Sequence, residues 1–200
     1  MTNPSKPCRV GTRTVGLLGG SFNPAHGGHL RLSLFALQRL ALDEVWWLVS
    51  PQNPLKPAAG MAPMRERLNM ATAMATHPRI HATDIEARLG TRYTVDILER
   101  LTPRYSSVRF VWLMGADNLA QVDRWHRWQT LFSHVAVAVI DRPGQTYAAL
   151  SSPAFHTMAP RRYKGALHSL VRQPLPAWAF VFGFRDWTSA TALRQSRTHG

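Results

Sequence analysis

The sequence predicts an α/β fold: a mostly parallel sheet of about six strands with helices on both faces. Three observations predict it. Short apolar runs of strand length recur along the chain, at residues 14–18, 45–49, 79–85, 107–113, 134–140 and 178–184. Stretches with helical spacing or helix-start signals separate several of them, and strands alternating with helices build parallel sheets. The first run also opens directly into two glycines, Gly19 and Gly20, and then into a helix starting near Gly27. Residues 1–13 read as a flexible basic tail and residues 14–200 as a single domain, with 145–176 a variable excursion inside it. Two hundred residues are enough for one such domain with a proper core.

Composition narrows the class. No run approaches the roughly 18 apolar residues that a membrane span needs. The start, MTNPSKPCRVGTRT, has no apolar core of the kind a secretory signal carries, and the lone Cys8 cannot form an internal disulfide. A cytoplasmic chain with no membrane partner is expected. Lys and Arg number 24 against 11 Asp and Glu, a net charge of +13. Apart from Arg161, Arg162 and Lys164 these cations are scattered rather than gathered into a stripe, which favours small phosphorylated substrates over nucleic acid.

The chain is organised around residues 14–37, TVGLLGGSFNPAHGGHLRLSLFAL. Thr14 to Leu18 is strand-like, Ser21-Phe22-Asn23-Pro24-Ala25 is a turn cluster, and Leu30, Leu34, Leu37 and Ala41 fall at helical spacing. Amide groups at such a helix start lack intrahelical partners and suit an anion. No Lys-Ser/Thr follows the glycines, so the loop is not a Walker P-loop, and their spacing is not GxGxxG. Asn23 stands where a nucleophile elbow needs glycine, which makes Ser21 a poor acyl-transfer nucleophile. Two imidazoles, His26 and His29, flank Gly27 and Gly28. They are read as phosphate donors; a metal pair without a third ligand and two structural histidines are the alternatives.

GGSFNPAHGGHL resembles the signature of the HxGH nucleotidyltransferases, in the longer form carried by bacterial nicotinate-nucleotide adenylyltransferases. The resemblance implies a Rossmann-like fold and transfer of an adenylyl group from ATP to nicotinate mononucleotide, in NAD biosynthesis.

Further motifs follow in the family's order. Val45 to Val49 is a strand, and the proline-rich SPQNPLKP after it places Lys56 on a loop past the strand's end. That lysine is a solvated surface group or a ligand contact; the NPxK match implies ATP phosphates. Pro63 opens a helix running to Thr76, with Leu68, Ala71 and Ala75 inward and Arg65 and Arg67 toward solvent or a carboxylate. His77 and His81 straddle Pro78 and cannot share a helical face as metal ligands. Residues 79–85 are a third strand, and 86–92 are expected to be loop. Tyr93 and Thr94 begin the next helix, with Thr91 or Thr94 as its cap. They are either a capping turn or, as YTVDIL implies by its likeness to the family's YTxDTL, the place where the mononucleotide's nicotinate end is met.

Strand 107–113 runs into Gly115 and Asp117. A carboxylate there can accept ribose hydroxyls or cap the following helix. Trp125 and Trp128 follow in DRWHRW; two tryptophans at that spacing read as one core face, although the interleaved polar residues leave Trp125 partly open. The likeness to GADxxxxxxxWxxW implies that Trp125 stacks on the pyridine ring. Strand 134–140 ends at Asp141-Arg142-Pro143-Gly144, as in the family. The excursion 145–176 has no clear period beyond a short helix near 166–171, and residues 178–184 restore the sheet. Thr188-Ser189-Ala190-Thr191-Ala192-Leu193-Arg194 is a capped helix start, which its likeness to ISSTxIR turns toward ATP phosphates.

The resemblance thus implies His26, His29, Lys56 and Arg194 as catalytic residues. It implies ATP binding by Gly19, Gly20, Ser21, Phe22, Gly28, Gly115, Asp117, Ser189 and Thr191. Asn23, Tyr93, Thr94 and Trp125 would hold nicotinate mononucleotide. Mg²⁺ would travel on the ATP phosphates, with no metal site in the protein. Nicotinamide mononucleotide or another phosphorylated acceptor is the nearest alternative, and a basic RNA-binding protein on the same fold the more distant one. The oligomeric state is not legible in the sequence.

Overall fold

The structure, a computed structural model, describes residues 12–51 and 60–186. Lys56, Ser189, Thr191 and Arg194 lie outside the described residues.

Six strands form one parallel sheet in the order β3-β2-β1-β4-β5-β6. They are β1 (Arg13–Gly20), β2 (Glu44–Val49), β3 (Ile80–Thr83), β4 (Val108–Gly115), β5 (Ala136–Ile140) and β6 (Trp178–Val181). The order reverses direction between β1 and β4, and open α/β sheets hold their ligands beyond the carboxyl ends of the strands at that switch. The sheet is buried on both faces, which explains why its strands read as apolar runs instead of alternating ones. Val15, Leu17, Phe110, Trp112, Met114, Val137 and Val139 face one core layer. Leu18, Val111, Leu113, Ala136, Ala138 and Ile140 face the other.

Helices cover both layers. On the second, α1 (Gly27–Arg39) contributes Leu32, Ala36 and Leu37, and α2 (Met64–Met74) contributes Ala71. The expected inward stripe of α1 is displaced. Leu34 is 37% exposed, Ser33 is fully buried, and Ala41 lies beyond the helix with φ 51°. Ser33 tolerates burial because its hydroxyl is satisfied twice, donating to the His29 carbonyl at 2.8 Å and accepting from Trp47 Nε1 at 2.7 Å.

On the first layer, α3 (Ile85–Arg88) occupies part of the stretch expected to be loop, so β3 ends before Asp84. The helix α4 (Thr94–Arg104) contributes Ile97, Leu98 and Leu101 to the same layer. Its N-cap is Tyr93, with no side-chain cap, rather than Thr91 or Thr94; the Thr91 hydroxyl donates instead to the Glu86 carbonyl at 3.1 Å. After β4 come the short α5 (Ala116–Leu119), a 3-10 turn at Val122–Arg124, and α6 (Trp128–His134), which takes His134 out of the expected fifth strand. The excursion is more regular than its composition suggested. It holds α7 (Thr146–Leu150), α8 (Pro153–Met158) and 3-10 turns at Ala159–Arg161 and Leu167–Arg172. Ala149, Ala154 and Met158 pack into the first core layer and Leu170 into the second.

Candidate active site

At the carboxyl edge of β1 the chain turns through Ser21–Ala25 into α1. His26 is the N-cap in extended backbone (φ −149°, ψ 166°), and its Nδ1 accepts the Gly28 N–H at 3.1 Å. His29, three residues on, accepts the His26 N–H at its own Nδ1 at 3.3 Å. This is a capping box in which imidazoles do the work usually done by a hydroxyl and a carboxylate. A neutral imidazole that accepts at Nδ1 carries its proton on Nε2, so the cap sets both rings as Nε2–H donors. The ring centroids are 3.9 Å apart.

His26 is only 7% exposed. Burial lowers its pKa to about 4, with the Arg142 charge adding to the depression, Asp186 opposing it and Arg31 adding a smaller depression. His26 is therefore neutral near pH 7, the state in which Nδ1 can accept the Gly28 N–H. His29 is braced from behind: its ring lies 4.6 Å from Phe22 and 5.9 Å from Trp47, and Phe22 stacks on Trp47 at 5.2 Å. Phe22 takes a left-handed backbone (φ 47°), a strained choice for a bulky residue and one that surrounding contacts must impose.

Arg67 imposes part of them, and here the sequence reading needs correction. The residue was expected at solvent or beside a carboxylate, yet it is 1% exposed. Its NH1 donates to the carbonyls of Ser21 and Ser50, both at 2.7 Å. Its NH2 donates to Pro51 O at 2.9 Å and its Nε to Ala62 O at 2.9 Å. The Asn23 amide joins the same assembly, donating to Gly60 O at 2.9 Å and accepting from Ala62 N at 3.1 Å.

Across the switch point, β4 ends at Gly115 and Asp117 lies in the first turn of α5, whose N-cap is Gly115. Asp117 does not serve as that cap. Its Oδ1 lies 3.5 Å from NH1 of Arg142, which comes from the loop after β5. A Cβ on Gly115 would strike Asp117 Oδ1 and sit 2.9 Å from Arg142 Cδ, so glycine is what lets the pair close over the strand end. Gly19 is constrained in a similar way, since a Cβ there would sit 2.6 Å from Trp112 Cη2. Behind α1, Arg31 Nε bonds the buried Asp186 carboxylate at 2.5 Å, which fixes the segment after β6 to this helix.

Of the remaining expected residues, Tyr93 and Trp125 come near one another through His126. The Tyr93 ring lies 4.5 Å from the His126 ring, next to Trp125, which is half-buried against the first core layer. Arg127, in left-handed backbone (φ 50°), pairs with Glu99 on α4 at 2.6 Å, and His134 Nε2 lies 3.5 Å from the same carboxylate. Tyr93–His126 joins the start of α4, where Thr94 is the first residue, to the Trp125–Trp128 turn, and Arg127–Glu99 joins that turn to the middle of the helix. Among the described residues no group of three or more His, Cys, Asp or Glu could hold a metal ion.

Neither Arg67 nor Arg142 is singled out by the sequence as a site residue. Arg142 had a signal, standing just past a strand end as Asp117 does; Arg67 had none.

Comparison with known proteins gives the chain's family. The profile of the cytidylyltransferase-like family matches residues 17–194. A probable nicotinate-nucleotide adenylyltransferase of Parvibaculum lavamentivorans is 53% identical over 184 residues, covering 90% of each chain. One of the same description from Cereibacter sphaeroides is 53% identical over 180 residues, covering 90% of this chain and 96% of the relative. The fold resembles Plasmodium falciparum nicotinic acid mononucleotide adenylyltransferase complexed with NaAD, with a TM-score of 0.62 at 16% identity over 90% of this chain and 78% of that one.

Proposed function

The chain belongs to the cytidylyltransferase-like family, and on that footing we propose that it transfers the adenylyl group of ATP to nicotinate mononucleotide. The products are nicotinate adenine dinucleotide and pyrophosphate, and the step serves NAD biosynthesis in the cytoplasm. The observation that carries the reading is the imidazole capping box, in which each ring accepts at Nδ1 and so presents Nε2–H as a donor at one helix N-terminus.

The reaction asks for donors rather than a nucleophile. The mononucleotide 5′-phosphate is already anionic near neutral pH, so its oxygen attacks the α-phosphorus without a general base. The α-phosphorus–oxygen bond to pyrophosphate breaks as the new phosphoanhydride forms. What the protein supplies is alignment and charge stabilisation on the phosphate oxygens. His26 and His29 would donate to the α- and β-phosphate oxygens. The first-turn amides of Gly28 and His29 are already bonded to His26, so the helix acts through its dipole more than through bare N–H groups. Gly19, Gly20, Ser21, Phe22 and Gly28 would form the floor under the phosphates, and Gly28 would serve by its missing side chain. Asp117, beside Gly115, would accept the ATP ribose hydroxyls. Lys56, Ser189, Thr191 and Arg194 would hold the β,γ end.

For the acceptor, Trp125 would stack on the pyridine ring while Tyr93 and Thr94 face its carboxylate at the start of α4. Asn23 would act near the mononucleotide through the Gly60–Ala62 backbone that it holds. Mg²⁺ bound to ATP would offset phosphate charge, taking its ligands from phosphate and water.

The test is pyrophosphate release from ATP with nicotinate mononucleotide, nicotinamide mononucleotide and other phosphorylated acceptors. The reading requires release with the first at a kcat/KM well above that with the second. Equal use of both would move the preference away from the carboxylate, and no release with any acceptor would remove the function.

A further inference from the structure

Arg67 is a buried cation whose partners are carbonyl oxygens and a thioether. Its guanidinium reaches the backbone of three separate segments: Ser21 after β1, Ser50 and Pro51 after β2, and Ala62 just before α2. Met64 Sδ lies 3.5 Å from NH2. No carboxylate is among these partners, so the charge is not neutralised by contact within the described residues.

Stability alone is a weak reason for such a group. Burying an ionised side chain is costly, and a well-packed apolar residue of similar volume often serves a core as well or better. What only a guanidinium provides is a planar fork of five N–H donors in fixed geometry, able to tie several carbonyls at once; a lysine ammonium has no such geometry. The carbonyls it ties belong to the loop that carries Phe22 and leads to His26. Ser21 immediately precedes Phe22, whose ring meets His29 at 4.6 Å. Ala62 is held from both sides, its carbonyl by Arg67 and its N–H by Asn23. A shift at Arg67 is thereby passed through one peptide unit to the ring that braces His29.

We infer that Arg67 is a positioning residue for the adenylyl donor, holding the loops after β1 and β2 in the relation that the phosphate site needs. The inference rests on the site reading given above. It bears on ATP more than on the acceptor: Asn23 shares the Arg67 assembly through Ala62, but the pyridine-side residues Tyr93 and Trp125 lie with α4 and the Arg127–Glu99 pair instead.

The experiment is calorimetric binding of α,β-methylene ATP and of nicotinate mononucleotide to the full chain and to Arg67→Lys, alongside thermal melts and pyrophosphate-release kinetics. The expected result is a folded variant whose Kd for the ATP analogue rises tenfold or more. Its Kd for the mononucleotide, which meets the Arg67 assembly only through Asn23, rises far less, and KM follows the same split. A folded Arg67→Lys with wild-type affinity for the analogue overturns the inference, and so does equal weakening toward both ligands. If Arg67→Lys does not fold, Arg67→Gln, which keeps donors without charge, is read by the same criteria. Failure of both to fold makes the residue a stability element and overturns the inference as well. A wild-type chain that binds the analogue yet releases no pyrophosphate would instead sink the catalytic reading, leaving the binding comparison to judge Arg67.

Discussion

His26 and His29 cap the same helix end with opposite hands: the ring of the first accepts from Gly28, and the ring of the second accepts from the backbone of the first. Capping uses Nδ1 of each imidazole and the proposed phosphate contact uses Nε2, so mutation can separate the two. Asparagine is among the best N-caps, so His26→Asn should keep stability within about 1 kcal/mol. It has no donor where Nε2–H stood, and kcat should fall by about 10²–10³. His29→Ala should lower kcat by a similar factor of about 10²–10³ with little change in either KM. Steady-state kinetics beside thermal melts check both, and undiminished turnover in His29→Ala would remove the pair from the mechanism.

The burial of His26 has a consequence for pH. With its pKa lowered to about 4, the ring stays neutral through the range where an ordinary histidine titrates. The acid limb of kcat/KM should then follow the second ionisation of the acceptor phosphate, at about pH 6. His26→Asn should lower the whole profile without moving that limb. A limb that disappears in the variant would assign it to the imidazole.

Gly115→Ala probes the far side of the crevice. The added methyl meets Asp117 and Arg142 together, so the carboxylate must swing from its place beside the guanidinium. If Asp117 accepts the ATP ribose, losing a hydrogen bond to a charged group should raise KM for ATP by about 10–100-fold. KM for the mononucleotide should stay put. A rise in both would mean that the switch point itself had deformed.

What could be read in the sequence was what depends on neighbours along the chain. Strand, glycine turn and helix start at 14–37 are local patterns, and the two-faced burial of the sheet leaves its strands as plain apolar runs. The face of α1 was harder, because Ser33 is buried by partners from β2 and from its own helix while Leu34 is left half outside. Arg67 was illegible for a stronger reason. An arginine on a short amphipathic helix reads as solvated, and only the convergence of three loops supplies carbonyls enough to hold it inside. Arg142 lay between these cases, visible as a strand-end residue but without the Asp117 and Gly115 geometry that gives it work.

Trp125→Ala tests the acceptor side. The indole is half-buried, and the ring of its neighbour His126 packs at a tilt on Tyr93. Loss of an aromatic stack should raise KM for nicotinate mononucleotide by roughly tenfold. The Arg127–Glu99 pair and the helix after it remain, so the fold and KM for ATP should be preserved. Equal effects on both substrates would place the pyridine ring elsewhere.

Glu86 yields a prediction about stability alone. It is 9% exposed on α3, and burial raises its pKa from 4.5 to about 7. Below pH 4.5 the carboxyl is protonated whether the chain is folded or not, and its contribution is at its most favourable. As pH rises from there the unfolded chain loses that proton while the folded chain keeps it, so stability declines until about pH 7 and then levels. The full decline is on the order of 3 kcal/mol for a shift of this size. Glu86→Gln is neutral throughout, so its melting temperature should vary less between pH 4.5 and pH 8 and should exceed that of the wild type at the alkaline end. Denaturation midpoints for the two proteins across that window decide the matter, and parallel curves would mean that Glu86 ionises in the folded protein as freely as it does in water.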